Sequence, residues 1–299
     1  MSEALAVVRA SRPNFLILAP LCVGLGVAVA WQQGEPPALP DTLLVFVGAL
    51  LAHAAVNLLN EYEDFVSGLD LITTRTPFSG GSGALPEVPG AAKRVLAAAL
   101  GTLALVILIG LYFLWQRGLP MLILGTAGVM LVLTYTRWIT RSPLLCLFAP
   151  GIGFGPVMIL GTLVALGARL DATAITVSVI SLLLVSELLL INQIPDAEAD
   201  RKIGRRHLVI TLGTRAAARL VSTLFISGYV VLVTGILAGW LPLPSILSLA
   251  TAPFALWLAW KLPGAINRPD ALPVLLGTNV AIVLATLALL IVGLSLEPA

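Results

Sequence analysis

The chain has 299 residues, of which 59% are hydrophobic and 11% charged, with a formal net charge of +2. Soluble domains carry roughly 45–50% apolar and about 25% charged residues. So little charge cannot coat a soluble surface around so much apolar side chain, which excludes a water-soluble enzyme, a nucleic-acid binder and a disordered chain.

Crossing a bilayer takes about 20 mostly apolar residues in a helix. Windows of that kind fall at 14–32, 42–60, 94–115, 119–136, 144–168, 172–194, 215–239, 243–261 and 271–294. The pattern predicts an all-α polytopic membrane protein, nine transmembrane helices in one bundle, with 1–299 a single domain. Pro20, Pro150, Pro156 and Pro253 fall inside these windows, where neighbouring helices can satisfy the freed backbone groups. The leading MSEALAVVRASRPNF has no small-residue cleavage site, so the first window is expected to stay as a helix. Cys22 and Cys146 lie in apolar runs without metal-ligand spacing and are expected as small core residues.

Of the 17 Lys and Arg residues, only Arg117 and Arg169 fall on the side opposite the leading segment. The positive-inside rule then predicts the N-terminus in the cytoplasm and the C-terminus outside; the inner or cytoplasmic membrane is the expected location. Connections 61–93 and 195–214 are long, polar and cytoplasmic, and function is expected there.

Two carboxylate clusters feed those connections. NLLNEYEDFVSGLD holds Asn57, Asn60, Glu61, Glu63, Asp64 and Asp70; NQIPDAEADRKIGRR holds Asn192, Asp196, Glu198 and Asp200. Four-residue steps (Asn57–Glu61, Asn60–Asp64, Asn192–Asp196, Asp196–Asp200) share a helix face, so each cluster can aim several oxygens at one point. The matching spacing suggests a bundle of two pseudo-repeated halves. Hard oxygen ligands suit Mg²⁺, which bridges a few carboxylates to substrate phosphates. The predicted metal set is Asn60, Glu61, Asp64, Asp70, Asn192, Asp196 and Asp200. Basic residues crowd the same loops: Arg75 after the first cluster, then Arg201, Lys202, Arg205 and Arg206 after the second. Acids for the metal beside bases for phosphate oxygens describe a diphosphate site. Solvated helix ends would explain acids near a surface, but not paired amides and acids at matching spacing.

Other residues carry a weaker signal. Glu187 sits inside the apolar run LLLVSELLLINQI; an ionisable group there faces a bundle interior, as a base or acceptor contact or as a neutral core acid. His53 reads as a packed helix residue and His207 as a surface loop residue. The glycines of 80–83 are expected either to cradle phosphate or to form a substrate lid.

The clusters resemble the two Asp-rich signatures of the UbiA superfamily of intramembrane prenyltransferases. Asn60, Asp64 and Asp70 match the first and Asp196 and Asp200 the second; Gly68 before Asp70 resembles the branch acting on 1,4-dihydroxy-2-naphthoate. TRTPFSGGSGALP, FGPVMILGT and DRKIGRR…TLG extend the likeness over at least residues 9–213. Glu61 departs from it, standing where the family usually has Asp. The resemblance implies a helical, nine-spanning, Mg²⁺-dependent transferase moving a polyprenyl chain from its diphosphate to an aromatic acceptor of the quinone-precursor type. It implies Asp64 and Asp196 as catalytic residues, with Glu187 a third candidate on the reading of its buried position alone. It also implies Arg12, Tyr135, Arg137 and Arg141 around the diphosphate, joined by Arg75 and Lys202 from the basic loops; anchoring at the membrane interface is the alternative role for Arg12, Arg137 and Arg141. Membrane lipid and these two small molecules are the expected partners, with no nucleic acid. A cyclase without acceptor needs the same ionising machinery; a cation-coupled transporter would place its site near the midplane instead.

Overall fold

The computed structural model describes all residues except Glu35, Asn267, Pro269 and 297–299. Those described form helices and connections, with no strand among them. In chain order the principal helices are α1 (Glu3–Ala10), α2 (Leu18–Gln32), α3 (Leu39–Val66), α4 (Ala92–Arg117), α5 (Leu119–Thr134) and α6 (Pro143–Ile152). They continue as α7 (Ala172–Asn192), α8 (Ala197–Lys202), α9 (Thr214–Leu237), α10 (Ala252–Ala265) and α11 (Leu272–Ser295). A π-helix, Gly153–Leu160, and a last turn, Gly161–Ala165, extend α6; a 3₁₀ segment, Leu243–Thr251, leads into α10.

Seven helical stretches among the described residues are long and apolar enough to cross a bilayer, and the α1–α2 pair, bent by 50°, adds an eighth. The sixteen residues of α5 rise roughly 24 Å, less than the hydrocarbon core of about 30 Å. Each window read from the sequence nevertheless coincides with a helix.

α7 is the mast of the bundle, with 72% of its apolar window buried against 17% for α3. It contacts α6, the π-helix, α9 and α11. α3 packs chiefly on α4. Phe225, Ile180, Leu184, Leu190, Leu258 and Leu287 lie in the core between α7, α9, α10 and α11. In lipid the hydrophobic effect does not drive helices together, so close van der Waals packing must. Gly151 and Gly155, four residues apart, allow α6 and the π-helix to approach α7. A Cβ at Gly155 would lie 2.5 Å from the Ser178 carbonyl oxygen, and one at Gly151 would strike Ser186 and the Leu182 carbonyl.

Pro150 and Pro156 withhold two backbone donors, and the π-helix accommodates them within one continuous span. The widened turn faces inwards: Gly153, Phe154, Val157 and Met158 all line the central cavity.

The packing makes a direct prediction. Gly155→Ala should destabilise the protein by about 1–3 kcal/mol through overpacking, seen as a lower thermal midpoint in detergent. Gly101→Ala, whose new Cβ meets nothing within 4 Å, should not lower it.

Candidate active site

The first acid cluster is helical throughout its core. α3 runs to Val66, beyond the expected end near residue 60, so Asn57, Asn60, Glu61 and Asp64 occupy its last turns. Asp70 follows on the short helix Leu69–Ile72, capped by Gly68 in the left-handed region. The second cluster is built differently. α7 stops at Asn192, a turn intervenes, and Asp196 caps α8. The step from Asn192 to Asp196 is therefore a turn, not helical spacing. Asp196 to Asp200 does span a helical turn, closed by Asp200 N–H donating to the Asp196 carbonyl at 2.9 Å.

These ends meet at the mouth of a cavity of about 700 Å³. Its rim carries Arg12, Asn60, Asp64, Asp70, Asn192, Asp196, Asp200 and Arg205. Below the rim the lining is apolar, with Val45 and Gly48 from α3, Val106 and Gly110 from α4, and Gly125 and Gly128 from α5. Val45 and Asp64 both line it, and their separation along α3 is roughly 28 Å of helix rise. His53 also lines the cavity, packed edge-on to Phe154 at 4.8 Å between ring centroids.

Guanidinium groups organise the rim. Arg205 donates to Asp64 from α3 and, at 2.8 Å, to Asp200 from α8, joining the two clusters. Arg12 donates to Asn60 Oδ1 at 3.0 Å and to Glu61 Oε2 at 2.9 Å. It does so at φ +52, the one positive φ among described non-glycine residues, a conformation costing roughly 1–3 kcal/mol that the Asn60 and Glu61 contacts offset. Glu61 is fully buried and further occupied by the Ser82 hydroxyl and by the Ser82 N–H at 3.0 Å. Asn60 also donates to Thr136 Oγ1 at 3.2 Å.

The glycine-rich loop runs between the clusters. The Gly80 N–H donates to Asp196 Oδ2 at 3.0 Å. Gly81 adopts φ +74, and a Cβ there would lie 2.9 Å from Asp70 Oδ1; only glycine lets the loop lie against that carboxylate.

Three buried oxygens on the rim have no hydrogen-bond partner: Asp70 Oδ2, Asn192 Oδ1 and Asp196 Oδ1. Burial, then Glu61 and Asp64 nearby, pushes the Asp70 carboxyl up to about 7. Burial, then Asp200, does the same to Asp196, up to about 7. Orphaned hard oxygens beside crowded acids are what a divalent cation relieves. Among the described residues no three His, Cys, Asp or Glu side chains converge as a ready-made metal cage. The unpartnered oxygens of Asp70, Asn192 and Asp196 suit Mg²⁺, which keeps its waters and binds through a few carboxylates together with substrate phosphates.

Several expected residues stand elsewhere. Arg75, Arg137, Arg141 and Lys202 are exposed and do not line the cavity; Arg75 faces Glu87 at 3.8 Å. α5 ends before Arg137, so Arg137 and Arg141 do not continue one helical face. Tyr135 does line the cavity. Glu187 is buried and does not line the cavity, accepting from Asn279 Nδ2 at 3.1 Å.

His207 overturns the surface-loop expectation. It is 1% exposed and bonded to Asp200 Oδ2 at 2.9 Å. Arg205 lay in the basic run noted in the sequence but not in the expected diphosphate set. Its five-residue separation from Asp200 looks non-helical, and the turn at Gly204, φ +85, brings it back.

Comparison with known proteins agrees with this architecture. The family model described as "UbiA prenyltransferase family" matches residues 17–272. The 1,4-dihydroxy-2-naphthoate octaprenyltransferase of Bacillus subtilis (strain 168) is 29% identical over 238 residues, covering 77% of this chain and 75% of that protein. The solved digeranylgeranylglyceryl phosphate synthase superposes with a TM-score of 0.71 at 16% identity, covering 99% of this chain and 100% of that one. A UbiA homologue from Archaeoglobus fulgidus, bound to DMAPP and Mg²⁺, has a TM-score of 0.65 at 15% identity, covering 95% and 98%. At those identities the structures speak for the fold alone, while the family match spans most of the sequence. The chain is an integral membrane enzyme belonging to the UbiA prenyltransferase family.

Proposed function

We propose that the protein transfers a polyprenyl chain from its diphosphate to an electron-rich aromatic acceptor, of the 1,4-dihydroxy-2-naphthoate type that the Bacillus relative's name carries. The observation behind this reading is the set of orphaned oxygens of Asp70, Asn192 and Asp196 at the polar mouth of a long apolar cavity. Nine spans are the reading adopted, α5 being the ninth, with the mouth facing the cytoplasm.

Asp64, Asp70, Asn192, Asp196 and Asp200 would hold Mg²⁺. Once bound, it supplies positive charge that neutralises the diphosphate and makes it a good leaving group. Arg205 and Arg12, already directed at the rim, stabilise diphosphate oxygens as negative charge accumulates on them. Arg75, Arg137, Arg141 and Lys202 lend long-range attraction for the anion from outside the mouth. The allylic carbon–oxygen bond breaks and the diphosphate leaves with the electron pair. A ring carbon of the acceptor then bonds to the cation, and the ring loses a proton. The apolar wall excludes the water that would quench the cation.

Purified protein incubated with Mg²⁺, a panel of prenyl diphosphates and 1,4-dihydroxy-2-naphthoate tests the reading. A prenylated naphthoate should form, with diphosphate released only when the acceptor is present. Diphosphate release without acceptor, yielding a cyclised hydrocarbon, would favour the cyclase. Asp196→Asn should abolish turnover while leaving the thermal midpoint near that of the wild type.

Chain length should answer to the cavity wall. Gly125 lines it, and an added Cβ there meets nothing within 4 Å. Gly125→Leu should disfavour long prenyl diphosphates relative to short ones by roughly 10–200-fold in kcat/KM, the scale of a few methylenes in an apolar pocket. Competition between two chain lengths, with products separated by mass, gives the ratio.

A further inference from the structure

The bundle interior behind the active cavity holds a second polar arrangement. Glu187 on α7 and Asn279 on α11 are both fully buried. Asn279 Nδ2 donates to Glu187 Oε2 at 3.1 Å. The other two oxygens of the same pair, Glu187 Oε1 and Asn279 Oδ1, have no partner.

That pattern is informative because both orphans are acceptors. An ionised carboxylate has no hydrogen to offer, whereas a carboxylic acid adds one O–H donor. A single proton on Glu187 lets the acid donate to the amide oxygen while the amide donates to the acid, so both orphans are satisfied together. The alternative is an ionised carboxylate inside the membrane-spanning bundle, without a cation. Among the described residues Asn279 is the hydrogen-bond partner of Glu187, and the titratable group that feels its charge from a packed helix is Tyr229 of α9. The Tyr229 hydroxyl is already engaged with Thr251 at 2.8 Å and Thr286 at 3.0 Å. A buried charge without a counter-ion costs far more than a neutral acid whose hydrogen bonds are all made.

The pair also has a mechanical position. Leu188 and Val280, the residues next to Glu187 and Asn279 in sequence, line the cavity. Asn192, with its orphaned oxygen on the rim, lies five residues beyond Glu187 at the end of the same helix. We infer that Glu187 is held protonated in an acid–amide pair with Asn279, and that this pair locks the rotation of α7 that aims Asn192 into the site. Glu187 is on this account a positioning residue, not a base acting on substrate.

The test has a spectroscopic and a kinetic arm, both on the full-length purified protein. Near neutral pH an ordinary glutamate is ionised, so a protonated-acid carbonyl band in the infrared, present in wild type and missing from Glu187→Gln, reports the acid directly. Asn279→Leu should shift that band. The absence of any wild-type minus Glu187→Gln acid band overturns the inference.

In the kinetic arm, Glu187→Gln reproduces both hydrogen bonds with an amide and should keep near-wild-type diphosphate release. Glu187→Ala should need about ten-fold more Mg²⁺ for half-maximal release, the scale of one buried hydrogen bond. Glu187→Gln as impaired as Glu187→Ala, or Glu187→Ala unchanged, would overturn the positioning role. The kinetic arm rests on the transferase reading and the infrared arm does not, so the two can fail separately. Should Glu187→Ala not fold, wild type and Glu187→Gln still decide the matter.

Discussion

Carboxylates from two distant stretches of the chain are buried side by side at one end of a membrane bundle, and guanidinium groups keep them there. Arg205 reaches Asp64 on α3 and Asp200 on α8 at once, and Arg12 grips Asn60 and Glu61. Without these cations the desolvated acids would repel one another or take up protons. Arg12 adopts a backbone conformation that few residues other than glycine adopt, so that its guanidinium can reach them. Burial, then the neighbouring carboxylates, still holds Asp70 and Asp196 well above the ordinary aspartate range. A divalent cation at their unpartnered oxygens would relieve that crowding.

The apolar half of the structure gives that charge cluster its use. Gly151 and Gly155 draw the π-helix onto α7, and the widened turn presents Phe154 and Met158 to the cavity. Charge at the mouth and lipid-like walls beneath match the two ends of a prenyl diphosphate. Electrostatic stabilisation is strong only where water is excluded, so the packing of α6 on α7 belongs to the chemistry as much as to the fold.

Much of this was legible in the sequence because membrane helices obey a severe rule. A backbone in lipid must satisfy itself, so apolar windows translate into helices, and every window did. The ends were less legible. α3 continues past residue 60 because Glu61 and Asp64 are paired and buried rather than solvated, which hydropathy cannot register. Spacing correctly put Asn60 and Asp64 on one face, but it treated the second cluster as an equivalent helix end and missed the turn after Asn192. It also assigned His207 to the surface, since burial of a histidine beside Asp200 depends on tertiary contacts. Nor could it tell the arginines apart. Arg205 and Arg137 look alike in sequence, but a turn at Gly204 sends one into the rim, while the end of α5 leaves the other outside.

The central claim is that the two clusters form one site for a divalent cation and a prenyl diphosphate together. Calorimetric titration of geranyl diphosphate into the purified protein, with and without Mg²⁺, tests it most directly, because two ligands sharing a site must strengthen each other's binding reciprocally. The account predicts tight binding only with Mg²⁺, and loss of that coupling in both Asp70→Asn and Asp196→Asn. Equal affinity with and without Mg²⁺, or coupling that survives either substitution, would contradict it.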